Sequence, residues 1–165
     1  MFMKKIINLL QLISCVALMP VLTSCSEEVE PTPATYTQLL TGTTSKAWRL
    51  TEIQLYENGQ QSYSEPAPND CVFDDLFVFY AGEGKKFEVN EGASKCDPND
   101  PDIFVEDTWS LVNASATITF VFPPFGGDSQ IPFILKRLTE RSMTVEYYFT
   151  EDNTSYRFTF AAQRD

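Results

Sequence analysis

From Lys46 to the end of the chain, apolar and polar residues alternate with a period of two, and no helical pattern is long enough to cross a sheet. Successive side chains on a strand point to opposite faces, so each such run has one face to bury. Trp48 and Leu50 open the first run, which continues through Ile53, Leu55 and Tyr56. Its change of phase between Leu50 and Ile53 predicts a bulge. Asn58-Gly59 marks a hairpin turn, and a polar loop with Pro66 and Pro68 leads to Cys71. Further runs follow at 76–80, 85–90, 105–111, 117–122, 130–138, 143–149 and 156–162. Parallel strands need a crossover of roughly a dozen residues or more, usually a helix. None exists, so the sheet is antiparallel.

Eight sequential antiparallel strands predict an all-β fold, an up-and-down barrel that removes exposed edges by closing on itself. An immunoglobulin-like sandwich typically has about seven strands and cysteines far apart on two sheets. Here Cys71 and Cys96 bracket a single hairpin. Ahead of the strands, Thr35 caps a short helix through Leu40, closed by Gly42, with Tyr36, Leu39 and Leu40 on one face.

The first 24 residues read differently. Lys4 and Lys5 precede an apolar run from Ile6 to Leu22, and small residues stand before Cys25. A spanning helix wants about twenty mostly apolar residues, and this run is interrupted by Asn8, Gln11 and Pro20. The stretch Leu22-Thr23-Ser24-Cys25 resembles the lipobox of bacterial lipoproteins. The resemblance implies a signal peptide over 1–24 and a Cys25 acylated on sulfur, which anchors the mature chain in the membrane. Ser26-Glu27-Glu28, followed by Val29-Glu30, resembles the surface-export signal of Bacteroidetes lipoproteins. It implies a lipid-anchored outer-membrane protein on the cell surface; without that address the periplasmic face is the alternative. Residues 25–35 then form an acidic, Pro-rich tether and 36–165 the barrel domain.

Composition narrows the function. Removing Lys4 and Lys5 leaves ten of the twelve basic residues against twenty-three acidic ones, a net charge of −13 on the mature chain. That charge repels phosphate backbones, which excludes nucleic acid as a partner. Cys15 leaves with the signal and Cys25 carries lipid, so Cys71 and Cys96 remain in an oxidising compartment and are expected to pair. A hairpin centred between Glu83 and Gly84 sets them opposite each other. Paired Cα atoms about 4.5–5.5 Å apart fall within disulfide range.

The chain has no His, which removes the commonest general base and transition-metal ligand. With both thiols oxidised no nucleophile is in view, and no cofactor motif is present, so the protein is read as non-enzymatic. Asp74-Asp75 is the nearest approach to a glycosidase carboxylate pair, but neighbours on a strand point to opposite faces. Asp97, Asn99, Asp100 and Asp102 offer the oxygen ligands that Ca²⁺ takes, without EF-hand spacing; Pro98 and Pro101 mark the same stretch as two turns.

Three stretches, Thr44 to Leu50, Cys71 to Phe79 and Asn90 to Cys96, together with Thr108-Trp109-Ser110-Leu111, resemble the lipocalin-like domains of Bacteroidetes lipoproteins. The resemblance covers about 36–163 and implies a small calycin-type barrel. Lys46 stands where lipocalins carry Gly, two residues before the first-strand Trp, and Arg157 or Arg164 would supply the Arg that stacks on that Trp.

Trp48, Trp109, Phe120, Tyr147 and Phe158 are the candidate ligand contacts, since a barrel of this size can hold one small apolar molecule or glycan. Thirteen Phe also suffice to fill it, and the filled core is favoured. A filled barrel would instead act as a structural subunit docking on another envelope protein, with Phe125 as an exposed loop contact.

Overall fold

The computed structural model describes residues 35–68, 70–71, 73–125 and 129–163. The signal segment, Cys25, the tether up to residue 34 and Arg164 lie outside them. A short helix α1 (Tyr36–Thr41) precedes ten strands: β1 (Ser45–Glu57), β2 (Gln60–Pro66), β3 (Leu76–Tyr80), β4 (Lys86–Asn90), β5 (Ile103–Thr108), β6 (Ser110–Val112), β7 (Thr117–Val121), β8 (Gln130–Leu138), β9 (Ser142–Phe149) and β10 (Thr154–Ala162). All pairings are antiparallel, in the order β5-β4-β3-β1-β10-β9-β8-β7-β6, and β2 is added alongside β1. Apart from β2, which pairs only with β1, and the break between β5 and β6, strands next to each other along the chain are neighbours, and β10 returns to β1. The result is an up-and-down barrel, nearly closed.

Among the described residues the strand count is ten and not the eight expected. One difference is β2, which pairs with β1 but has no buried face, so Gln60–Pro66 carries no apolar alternation. The other is a single run that breaks at Trp109. Its first part, β5, pairs with β4, and its second part, β6, pairs with β7. Among the described residues no ladder joins the two edges at this seam, which leaves the barrel nearly closed. The Gln130 amide spans it, donating to the Thr108 carbonyl at 2.9 Å and to Asp107 Oδ1 at 3.0 Å.

Local signals act as expected elsewhere. Thr35 and Gln38 form a reciprocal capping box on α1, and Gly42 closes it at φ 64°. Asn58 and Gly59 take positive φ in the β1–β2 turn. Thr51 is the bulge: Leu50 pairs with Phe160 and Glu52 with Thr159, leaving Thr51 unopposed.

α1 covers the end of the barrel where the chain enters. Leu40 is fully buried there, and its carbonyl accepts a 2.9 Å hydrogen bond from Trp48 Nε1. At the opposite end, which we term the mouth, lie the β1–β2 and β9–β10 turns, the disulfide-linked loops and a 3₁₀ turn at Pro123–Phe125.

Candidate functional site

The barrel interior is a continuous packing of rings. Phe77, Phe79, Phe87, Phe120, Phe122, Phe133, Phe158 and Phe160 are all buried, with neighbouring centroids 4.7 Å (Phe122–Phe158) to 6.4 Å (Phe77–Phe87) apart. Such edge-on and tilted contacts add to the burial of the rings themselves. Both tryptophans belong to this core. Trp109 Nε1 donates to the Tyr80 carbonyl at 3.0 Å, as Trp48 does to Leu40. Each buried indole N–H is thus already satisfied by backbone.

Of the five candidate ligand contacts, Trp48, Trp109, Phe120 and Phe158 are therefore wall-to-wall core. Tyr147 differs. It stands at the mouth, where the inward face of β9 runs out past the last full layer of rings. Phe125, carried by the 3₁₀ turn, lies 5.4 Å from Tyr147, 5.4 Å from Phe158 and 6.0 Å from Phe149. Phe149 in turn meets Tyr147 at 4.8 Å and Tyr156 at 5.9 Å. Exposure rises along this cluster from Phe122 at 1% to Phe149 at 36%, and the neighbouring Tyr148 reaches 45%. A cavity of about 300 Å³ opens between Tyr147 and Asp152. Sequence parity places Phe149 and Tyr156 on the inward face; what it does not convey is that the barrel ends beneath them. Phe125 is half-buried rather than a projecting loop tip.

Cys71 and Cys96 form the expected disulfide, Cα atoms 5.0 Å apart. The register differs by one residue: Leu76 pairs with Asn90 and Phe79 with Phe87, which centres the hairpin on Glu83. The ladder stops before the cysteines, and the irregular segments on either side absorb the offset.

Asp74 and Asp75 precede β3 and do not splay to opposite faces as strand neighbours would. Both are 5% exposed and both turn to one loop: Gly92 N–H donates to Asp75 Oδ1 at 3.3 Å and Ser94 N–H to Asp74 Oδ2 at 3.0 Å. Burial pushes the Asp75 carboxyl up to about 7; the Gly92 hydrogen bond opposes this, and the charges of Glu91, Asp74 and Asp70 reinforce it. Glu91 is raised as well, by burial and then by Asp100.

The stretch Asp97–Asp102 is built as turns. Asp97 Oδ1 accepts from both Asn99 N and Nδ2 at 2.9 Å, and Asp102 pairs with Lys95 at 2.6 Å. Among the described residues no group of three or more Asp, Glu or Cys converges as a metal site would.

Charge on the outer wall is internally paired. Glu146 accepts from Ser155 at 2.7 Å and lies 3.0 Å from Lys136 and 3.2 Å from Arg157. Burial pushes its carboxyl up, but these partners outweigh burial and hold it below the usual range. The Arg157 guanidinium stacks on Tyr56 at 3.8 Å, and Lys46 Nζ sits over Trp48 at 5.3 Å, so Arg157 does not cover the first-strand Trp. Lys46 Nζ also donates to the Leu39 carbonyl at 2.6 Å, tying α1 to β1.

These features define a nearly closed antiparallel β-barrel with a filled aromatic core and an aromatic mouth. Comparison with known proteins returns no matching family model and no matching curated relative.

Proposed function

We propose that the chain is a non-enzymatic lipoprotein of the bacterial outer membrane, held at the cell surface by acyl chains on Cys25, whose lipocalin-like barrel is a filled scaffold presenting its mouth to another envelope protein. The lipobox-like stretch before Cys25 supports the anchor. One observation carries the docking reading: rings pack through the buried interior, while at the mouth Phe125, Tyr147 and Phe149 continue the same cluster toward solvent, beside the exposed Tyr148. A filled core leaves recognition to the rim. The mouth is the end of the barrel opposite α1.

The test is affinity capture of the tagged full-length chain from cross-linked, solubilised outer membranes. The reading expects a stoichiometric protein that is lost with Phe149→Ser and retained with a surface change such as Glu140→Gln. Recovery of the protein alone would sink it. Labelling with palmitate checks the anchor: it should mark the wild type and not Cys25→Ala.

The cavity of about 300 Å³ beside Tyr147 favours a second reading, a small apolar molecule or glycan held at the mouth. Native mass spectrometry of the purified full chain would then reveal a bound mass that Tyr147→Ala abolishes.

A further inference from the structure

The aromatic mouth carries a charge pattern that the outer wall does not. The cavity of about 300 Å³ there is lined by Tyr147, Tyr148, Phe149 and Thr150, and then by two carboxylates, Glu151 and Asp152. A third, Glu57, ends β1 and pairs with Thr154, the first residue of β10. Local structure holds these positions. Asn58 N–H donates to the Asn153 carbonyl at 3.0 Å, and Asn153 Nδ2 donates to Asn58 Oδ1 at 2.8 Å, so the β1–β2 and β9–β10 turns are tied side by side. The Tyr148 hydroxyl donates to Asn153 Oδ1, which sets that ring against the same turn. All three carboxylates are exposed, and among the described residues none of them has an ion pair.

Elsewhere the barrel supplies its own cations. Glu88 and Glu146 are ion-paired on the wall, and Trp48, Trp109, Tyr80 and Tyr56 each have a Lys or Arg over the ring at 3.8 to 5.5 Å. Among the described residues, Phe125, Tyr147, Tyr148, Phe149 and Tyr156 have none. Ring faces attract cations, and carboxylates beside them add to that attraction. The same rim repels an anionic partner. A purely apolar segment would cover the carboxylates without pairing them, at the cost of their desolvation. Building on the docking role of the mouth, we propose that the segment received there is cationic: an Arg- or Lys-bearing stretch of a protein partner. One long side chain enters the cavity beside Tyr147, and Glu151 and Asp152 meet its charge. Arg fits best, because its planar guanidinium both stacks on a ring and binds a carboxylate through two parallel hydrogen bonds. Arg157 stacks on Tyr56 in this way within the chain itself.

Fluorescence anisotropy on the purified full chain tests this with labelled Gly/Ser decapeptides that carry three Arg, three citrulline, three Leu or three Glu. Citrulline keeps the shape of arginine and lacks its charge. The Arg peptide should bind at low salt, and the other three roughly tenfold or more weakly. Because any acidic protein attracts a basic peptide, a pair of double variants with the same change in net charge locates the effect. Glu151→Gln with Asp152→Asn should weaken the Arg peptide roughly tenfold, and Glu83→Gln with Glu140→Gln, exposed in turns at the α1 end, should leave it within about twofold. Phe149→Ser should weaken it at unchanged charge. The proposal is overturned if the citrulline or Leu peptide binds as well as the Arg peptide, or if no peptide binds. Equal losses in the two double variants would also overturn it, leaving only a diffuse attraction to net charge. In the capture experiment, a partner lost with Phe149→Ser but kept with Glu151→Gln and Asp152→Asn would leave the docking role standing and overturn the cationic occupant. No captured partner, with the Arg peptide still bound at the mouth, would sink the docking role and leave the preference for cations in place.

Discussion

Asp75 makes the stability of this barrel depend on pH in an unusual direction. Its carboxyl is buried before β3, faces Glu91, Asp74 and Asp70, and accepts a hydrogen bond from Gly92 N–H. The folded protein therefore holds the Asp75 proton up to about 7, against 3.8 for the free side chain. The sign follows from linkage: between those values the folded state binds more protons than the unfolded one, so stability falls as pH rises. The contribution is complete below the unfolded pKa, declines across pH 4 to 7, and is gone above the folded value. Each unit of difference is about 1.36 kcal/mol, so the loss is on the order of a few kcal/mol. Glu91, also raised, adds to the same slope, while Glu88 and Glu146, both lowered, add stability with rising pH only at the acid end.

Asp75→Asn isolates the effect, because a carboxamide keeps the acceptor for Gly92 N–H and cannot ionise. The variant should match the wild type near pH 4 and exceed it at pH 8 by a few kcal/mol in urea unfolding. The midpoint temperature should rise with it, by several degrees at least in a domain of this size. A wild-type curve as stable at pH 8 as at pH 4, together with a variant no better at pH 8, would refute the reasoning.

Further substitutions test other parts of the structure. Cys71→Ser should cost about 2–5 kcal/mol in denaturant unfolding, and thiol titration of the denatured, unreduced wild type should find Cys71 and Cys96 unreactive. Phe120→Ala, at the centre of the ring packing, should cost about 3–5 kcal/mol through the cavity it leaves, measured in the same way. Gly92→Ala should destabilise as well, because its Cβ would overlap the Asp74 carbonyl and carboxylate; loss of the Ser94–Asp74 hydrogen bond should appear as faster amide exchange at Ser94.

Much of the architecture was legible because period-two alternation reports burial directly. Wherever a strand has one dry face, as in Ile118-Thr119-Phe120 or Phe158-Thr159-Phe160, the pattern marks the strand and its inward side together. β2 was illegible for the same reason. Gln60–Pro66 is held by backbone pairing to β1 with both faces wet, and backbone hydrogen bonds leave no trace in residue identity. The break at Trp109 was hidden because β5 and β6 keep one phase while exchanging one neighbour for another.

Depth along the barrel axis is the quantity the alternation does not carry. Phe158 and Tyr156 share a face and differ by one pleat, yet the first is core and the second belongs to the mouth. That is why a list of inward aromatics collects four residues of the solid interior and one of the rim.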